Sequence, residues 1–401
     1  MKEWKTYKIG DICKTNISQY SVKEGWDEFL YLDTGNITRN TIDDIVRYSS
    51  AAELPSRARR KVICDDIIFS TVRPNQCHFG ILSNPPANLL VSTGFTVITA
   101  KKEIVDPYYL YYYLTQESIV DYLHSIGEQA VSAYPSIKAQ DIEDLEIELP
   151  DLSTQNNIAK TLRALDEKIQ LNRQINDNLE QQAQALYKSW FVDFEPFLDG
   201  DFVESELGLI PKDWQCIQFS TFVSESKVKT GEIGIKEFSV TNSGIFPRDA
   251  KYNKSLSQSS AKNKLIQRGD LVFGMSREIL NWGVMQEERG GVSSAYAVYN
   301  INSALVSSTY LELFIKSRVY LFSDLIRPAA REGQSIDKSL LQTKVLLLPP
   351  KDVLDTFWPL YNSLINQIQT TVTEIDSLGN IRDTLLPKLM SGELKINEID
   401  S

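Results

Sequence analysis

The chain repeats itself. Glu3-Trp4-Lys5-Thr6-Tyr7-Lys8-Ile9 returns as Asp213-Trp214-Gln215-Cys216-Ile217-Gln218-Phe219. Asp66-Ile67-Ile68-Phe69-Ser70-Thr71-Val72-Arg73 returns as Asp270-Leu271-Val272-Phe273-Gly274-Met275-Ser276-Arg277. Ser92-Thr93-Gly94-Phe95 is matched by Ser293-Ser294-Ala295-Tyr296, and Leu149-Pro150 by Leu348-Pro349. The landmarks keep their order, and the offset narrows steadily from 210 to 199, as small deletions in the second copy produce. A period of half the chain is a duplication, not a solenoid. Whatever one half folds into, the other must fold into something similar.

Each half begins with short strands and ends in a long helix. The runs from Asp66 and Asp270 are short, apolar and rich in β-branched or aromatic residues, the pattern of buried strands. Leu145, Ile147 and Leu149 alternate with Glu146 and Glu148, a half-buried strand. Asp106-Pro107 opens a helix through the tyrosine cluster Tyr108–Tyr113, whose rings read as core; its counterpart is Ser308–Phe314. From Ser153 a seam runs Ile158, Leu162, Leu165, Ile169, Asn172, Asn176, Leu179, Ala183, Leu186, Trp190, with spacings alternating between four and three. Pro150 precedes it, Ser153 or Thr154 can cap it, and Pro196 stops it. A second seam, from about Asp352 to Leu386, runs Leu354, Phe357, Tyr361, Leu364, Ile368, Ile375, Leu378, Leu385, with Gly379, Arg382 and Pro387 expected to weaken its end. Seams this long need a partner, and the other copy is the nearest; the two asparagines would fix the register. Residues 196–211 are acidic and aperiodic, and read as a linker.

Much chemistry is excluded. Two histidines, His78 and His124, and four cysteines without a Cys-x-x-Cys pair leave no zinc site and no catalytic triad. There is no phosphate-binding glycine loop. Asn84-Pro85-Pro86-Ala87 resembles a methyltransferase tetrapeptide but lacks the aromatic, and reads as a turn. Asp151 with Asp166-Glu167-Lys168 has nuclease spacing, but the second group lies within the heptad helix and reads as its solvated outer face. No apolar run reaches the length of a membrane span, and no secretory leader is visible, so a cytoplasmic protein is expected.

The net charge of −11 argues against nucleic acid only as an average. Arg57, Arg59, Arg60 and Lys61 cluster just before the first Asp-Ile-Ile-Phe run. The equivalent stretch of the second copy, 227–277, holds ten basic residues and four acids, among them Lys251, Lys254, Lys262, Lys264, Arg268 and Arg277. A basic cluster at the same place in both copies is a candidate phosphate-facing surface. Asn75 and Gln76, two residues beyond Arg73, are side chains able to read adenine edges, and an arginine can read guanine. The polar turns Ser92-Thr93 and Ser293-Ser294 complete the candidate set.

These residues carry a resemblance to the specificity subunits of type I restriction–modification enzymes. Trp4-Lys5-Thr6-Tyr7-Lys8-Ile9-Gly10-Asp11 is similar to the opening of that family, and Leu149-Pro150-Asp151-Leu152-Ser153-Thr154-Gln155-Asn156-Asn157-Ile158 to the start of its spacer helix. Ala185-Leu186-Tyr187-Lys188-Ser189-Trp190-Phe191-Val192-Asp193-Phe194-Glu195-Pro196 resembles the end of that helix, Leu207-Gly208-Leu209-Ile210-Pro211 the approach to the second domain, and Leu385-Leu386-Pro387-Lys388-Leu389-Met390-Ser391-Gly392 the C-terminus. The second helix start lacks the glutamine, and the second domain opens with Ser220-Thr221 in place of Gly-Asp.

The resemblance implies an α/β (α+β) chain with two target-recognition domains, 1–152 and 212–350. A long helix follows each, 153–195 and 351–391, with the linker 196–211 and a tail 392–401. The helices would pack as an antiparallel coiled coil. Each domain would read one half of a split target in double-stranded DNA. Ile158, Leu162, Leu165, Ile169, Leu179, Leu186, Trp190, Tyr361, Ile368 and Ile375 would serve the seam and partner docking. Two methyltransferase subunits, which bind S-adenosylmethionine, and restriction subunits for cleavage would be the partners. The chain itself would carry no catalytic residue, metal or cofactor. Two other readings stay open: a protein-interaction scaffold without specific DNA binding, and a fused enzyme using Asn84 or Asp151.

Overall fold

The computed structural model describes residues 4–129, 135–231, 234–248, 260–276, 278–326 and 336–395. The chain forms two compact units, residues 1–176 with 370–401, and residues 177–369. The long helices, Leu152–Phe191 and Lys351–Met390, each contribute to both units, 152–176 and 370–390 to the first and 177–191 and 351–369 to the second.

In the first unit, Cys13–Thr15, Phe95–Ala100, Asp66–Ser70 and Phe79–Leu82 form an antiparallel sheet in that order. A second sheet runs Val46–Tyr48, Phe29–Leu32, Leu89–Ser92, Ala58–Lys61, with Leu89–Ser92 parallel to Phe29–Leu32. Asp66–Ser70 is buried along its whole length. Ile67 and Phe69 enter the core under the tyrosine helix, and Ile68 enters a separate core. With both faces covered, a strand reads as a continuous apolar run. Glu146–Leu149 pairs antiparallel with Lys5–Lys8 and buries alternate residues, so the unit's first strand anchors the start of the long helix.

The second unit reproduces this plan. Val223–Ser226, Ala297–Ile301, Leu271–Phe273 and Trp282–Val284 form the antiparallel sheet, and Gln215–Gln218 pairs with Val345–Leu348. The match extends to single hydrogen bonds. Asp66 accepts the Ile63 N–H (2.8 Å) and the Thr99 hydroxyl (2.6 Å). Asp270 accepts the Gln267 N–H (2.8 Å) and the Asn300 amide (2.7 Å). Burial raises both carboxyls above their usual range. Asp106 caps its helix through the Tyr109 N–H, and Ser307 does the same through the Tyr310 N–H.

The helix seams are buried or half-buried as the spacing predicts. Within the first unit, Ile158, Leu162, Ile169 and Asn172 are buried, and Leu165 and Ile375 half-buried. Asp166 pairs with Arg382 at 2.7 Å, and Asn172 donates to Glu374 at 3.0 Å, so the two helix segments run antiparallel there. Within the second unit, Leu179 is buried, and Leu186, Trp190, Tyr361 and Ile368 are half-buried. Tyr187 and Phe191 go deeper; Phe191 meets Phe357 edge-on at 4.6 Å between ring centres. Arg318 donates to the Phe191 carbonyl at 2.6 Å, a cation on an orphan carbonyl at the helix C-terminus. Trp214 packs on Phe191 and Phe194, while in the first unit Trp4 lies against Gly392, where a Cβ would come within 2.9 Å of the ring.

Four expectations are corrected. The cap of the first long helix is Asp151, which accepts the Thr154 N–H at 3.1 Å, not Ser153 or Thr154; the helix begins one residue earlier. Asp166 is not on a solvated face: it is half-buried and accepts from Tyr112 (2.7 Å) and Arg382. The end of the second helix, expected to be weakened by Gly379, Arg382 and Pro387, stays helical to Met390, close to the expected bound of 391, since Arg382 has a carboxylate for its charge and the core takes Leu389 and Met390. Residues 196–211 include a hairpin, Phe202–Ser205 with Gly208–Pro211, whose Ile210 enters the second core. Asn84 lies in a bend and Pro86–Leu89 is a turn, closed by the Leu89 N–H to the Pro86 carbonyl, and Tyr109, Tyr111 and Tyr112 are core.

The paired aspartates give a test. Asp66→Ala strands a backbone N–H and a hydroxyl, and Asp270→Ala a backbone N–H and an amide. Each should loosen its own unit by about 1–3 kcal/mol. Hydrogen exchange of the full chain should show faster exchange confined to the mutated unit. Unchanged exchange in either case would remove that aspartate from the account of stability.

Candidate nucleic-acid interface

Three connections gather at one place in the first unit. The Gly94 carbonyl accepts the Thr71 N–H (2.8 Å) and the Thr71 hydroxyl (2.9 Å). The Arg57 carbonyl accepts the Thr93 N–H at 2.9 Å. A Cβ on Gly94 would lie 2.8 Å from the Thr34 methyl, so the turn at Thr93-Gly94, the loop from Thr71 and the loop at Thr34 adjoin. Exposed on these connections are Arg57, Arg73, Asn75, Gln76 and Thr93.

The backbone there is unusual. Arg73 (φ +46) and Cys77 (φ +57) are left-handed and flank the short turn Pro74–Gln76, which presents Asn75 and Gln76. Left-handed non-glycine residues are costly and cluster where a loop must hold side chains in place. Asp33 lies below. Burial would raise its carboxyl, but bonds from the Thr34 N–H and the Ser92 and Tyr31 hydroxyls, with Arg57 nearby, outweigh it and hold the group below its usual range.

Other candidates face inward. Arg60 is half-buried, and its guanidinium donates to the Asn16 side chain and the Phe95 carbonyl. Lys264, its counterpart in the second unit, donates to the Tyr296 carbonyl. Burial lowers both cations from their usual values, with Lys338 adding to the effect on Lys264. Their recurrence is therefore explained by structure: each ties an outer strand to the turn before the central strand. Ser92 is fully buried, and its hydroxyl accepts the Gly94 N–H. Lys61 pairs with Glu24 at 2.7 Å and lies over Trp26. Arg59 is exposed and donates to the Ser56 carbonyl.

In the second unit, Lys262, Arg268 and Ser294 are exposed, and Ser293 is half-buried, its hydroxyl accepting the Ala295 N–H. Lys251, Lys254 and Arg277 lie outside the described residues. Among the described residues no group of three or more His, Cys, Asp or Glu could hold a metal ion, and no helix is long and apolar enough to cross a membrane.

Sequence reasoning missed Arg39, which is exposed with φ +45 at the tip of the hairpin Ile37–Thr38 with Thr41–Ile42. Its N–H donates to the Cys77 carbonyl (2.9 Å), which places it beside the Asn75–Gln76 turn. Arg39-Asn40 between Ile37-Thr38 and Thr41-Ile42 was the available turn signal.

The architecture defines a class: a duplicated α/β protein whose two similar domains each feed a long amphipathic helix. Residues 1–181 match the family model "Type I restriction modification DNA specificity domain". The HindI specificity subunit of Haemophilus influenzae is 36% identical over 49% of this chain and 42% of its own length. The MjaIX specificity subunit of Methanocaldococcus jannaschii is 25% identical over 99% of this chain and 95% of its own. Among solved structures, the S subunit of a type I system from M. genitalium superposes with a TM-score of 0.52 at 13% identity, over 96% of each chain, a likeness of fold. The chain spans less than half of the Haemophilus relative and nearly all of the Methanocaldococcus one. The chain is thus similar to type I restriction–modification specificity subunits, through its first 181 residues to the family model and along nearly its whole length to the Methanocaldococcus relative.

The inward and outward cations are separable by mutation. Arg60→Met should cost about 1–3 kcal/mol, because the Phe95 carbonyl and Asn16 lose a charged donor. Arg57→Ala, at an exposed position, should stay within about 0.5 kcal/mol of the parent. Urea denaturation of the full chain reads both; equal effects would contradict the assigned orientations.

Proposed function

We propose that the chain is the DNA-reading subunit of a type I restriction–modification complex, each unit recognising one half of a bipartite target. The single observation that carries this is the match of residues 1–181 to a DNA specificity domain. The exposed Arg73, Asn75 and Gln76 on a turn flanked by left-handed residues, with Arg57 exposed on an adjoining loop, support it: arginine and amide side chains are the ones that pair bidentately with guanine and adenine. Lys262, Arg268 and Ser294 are the corresponding exposed candidates in the second unit. Contacts to phosphate supply affinity and register, and few contacts to base edges supply specificity.

In this reading the long helices act as the ruler. Forty residues at ~1.5 Å per residue extend roughly 60 Å, enough to separate two readers by one DNA turn of ~34 Å. Packed as an antiparallel coiled coil, they set the unread spacer and dock two methyltransferase subunits. S-adenosylmethionine belongs to those partners, which flip and methylate the target adenine. Restriction subunits join for cleavage, and this chain contributes no catalytic group.

Co-expression with a type I methyltransferase subunit, followed by adenine-methylation mapping, tests the proposal. A split motif that vanishes when this chain is omitted is expected. Asn75→Ala with Gln76→Ala should relax one half-site only, by a discrimination of about 1–3 kcal/mol per lost base contact, and leave the other half unchanged. A stable complex that methylates no split motif would instead favour a scaffold without specific DNA binding.

A further inference from the structure

The first unit contains a cavity of about 350 Å³ lined by none of Arg57, Arg73, Asn75 and Gln76. It lies between the tyrosine helix Pro107–Leu114, the hairpin tip at Arg39 and the long helices, and four arginines line it. Two have carboxylate partners. Arg163 pairs with Glu167 at 2.6 Å, and Arg382 with Asp166 (2.7 Å) and Asp383 (2.8 Å). Those pairs consume all three carboxylates of the lining. Among the described residues the Arg39 side chain has no hydrogen-bond or ion-pair partner, and that of Arg173 donates to the uncharged Thr41 hydroxyl, at 2.8 Å, and to no carboxylate. Two exposed guanidiniums at one cavity are thus left without a counter-charge.

The fold does not require this arrangement. The duplication supplies the comparison, because the second long helix repeats the first at an offset of 199. At that offset Arg163, Asp166 and Arg173 correspond to Asn362, Ile365 and Val372, and Arg382 corresponds to Ala183. Tyr111 and Tyr112 correspond to Glu312 and Leu313 at the offset of 201 that relates their helices. The second copy builds the same architecture without the arginines. Tyr111 adds a further observation: the residue is 95% buried and lines the cavity. Arg39 is also held in a left-handed conformation that asparagine or glycine would adopt with less strain.

We propose that this cavity binds a phosphate-bearing anion, held by Arg39 and Arg173 with the Tyr111 hydroxyl as an additional donor. Guanidinium forks match phosphate oxygens in pairs, and the volume suits a ligand larger than one phosphate. The phosphate can belong to a free small molecule or to the backbone of a nucleic acid strand.

Calorimetric titration of the full chain with pyrophosphate, and separately with a duplex of random sequence, tests this. Two variants are compared with the parent. Arg39→Asn with Arg173→Gln removes both charges while keeping a residue tolerant of the left-handed turn, and Arg173→Lys keeps the charge. Saturable pyrophosphate binding at one per chain, weakened at least tenfold in the double variant and mostly retained in Arg173→Lys, supports a free ligand. Weakening at least tenfold of duplex binding alone supports the same phosphate site with a nucleic acid backbone as its source. If the double variant, folded by circular dichroism, binds both probes as the parent does, or the parent binds neither, the proposal is overturned. Half-site methylation by the double variant is read separately, so failure of this site and failure of the DNA-reading role give different results.

Discussion

A forty-residue amphipathic helix cannot bury its own seam, and the rest of this structure follows from how two such helices solve that problem. Each unit closes over part of each helix, so the first unit is built from two separate stretches of chain, 1–176 and 370–401, around the contiguous second unit. In the first unit the seam carries polar groups, and they are matched: Asp166 to Arg382 and Tyr112, Asn172 to Glu374. Removing one member of such a pair leaves an uncompensated charge, which makes register expensive to change. In the second unit the same job falls to aromatics, with Tyr187, Phe191, Trp214 and Phe357 in one core. One copy specifies its packing by charge, the other by shape.

The duplication separates scaffold from function. Whatever both copies keep to the level of a single hydrogen bond belongs to the architecture. Asp66 and Asp270 accept from the residue three before them and from the neighbouring strand. Arg60 and Lys264 both reach the carbonyl at the start of the central strand, which turns a recurring basic residue from a ligand contact into a structural tie. What only one copy has is free to serve a role particular to that copy. The turn at Asn75–Gln76 and the arginines of the first unit's cavity fall on that side.

Much of this was open to a reading of residues alone. The heptad spacing placed Ile158, Leu162, Ile169 and Leu179 on a buried seam because a helix maps periodicity directly onto a face. The alternation at Leu145, Ile147 and Leu149 found its strand for the same reason. The basic cluster at Arg57–Lys61 was visible as composition but not as geometry. On one short strand Arg59 is exposed, Arg60 turns inward, and Lys61 meets Glu24 and Trp26. Adjacent strand residues face opposite ways, and which way is inside depends on a sheet neighbour far off in sequence.

Local order along the chain therefore decided the elements, their duplication and the length of the helices, because those depend on interactions within a few residues. Tertiary structure decided which charges are free. Asp166, read as solvated, is held between Tyr112 and Arg382, residues 54 and 216 positions away. Arg39, unremarkable as a residue, becomes a cation without an ion-pair partner among the described residues, beside the Asn75–Gln76 turn because the Cys77 carbonyl fixes its backbone there. A charge acquires meaning from its partners and its access to water, and both are set only when distant segments meet.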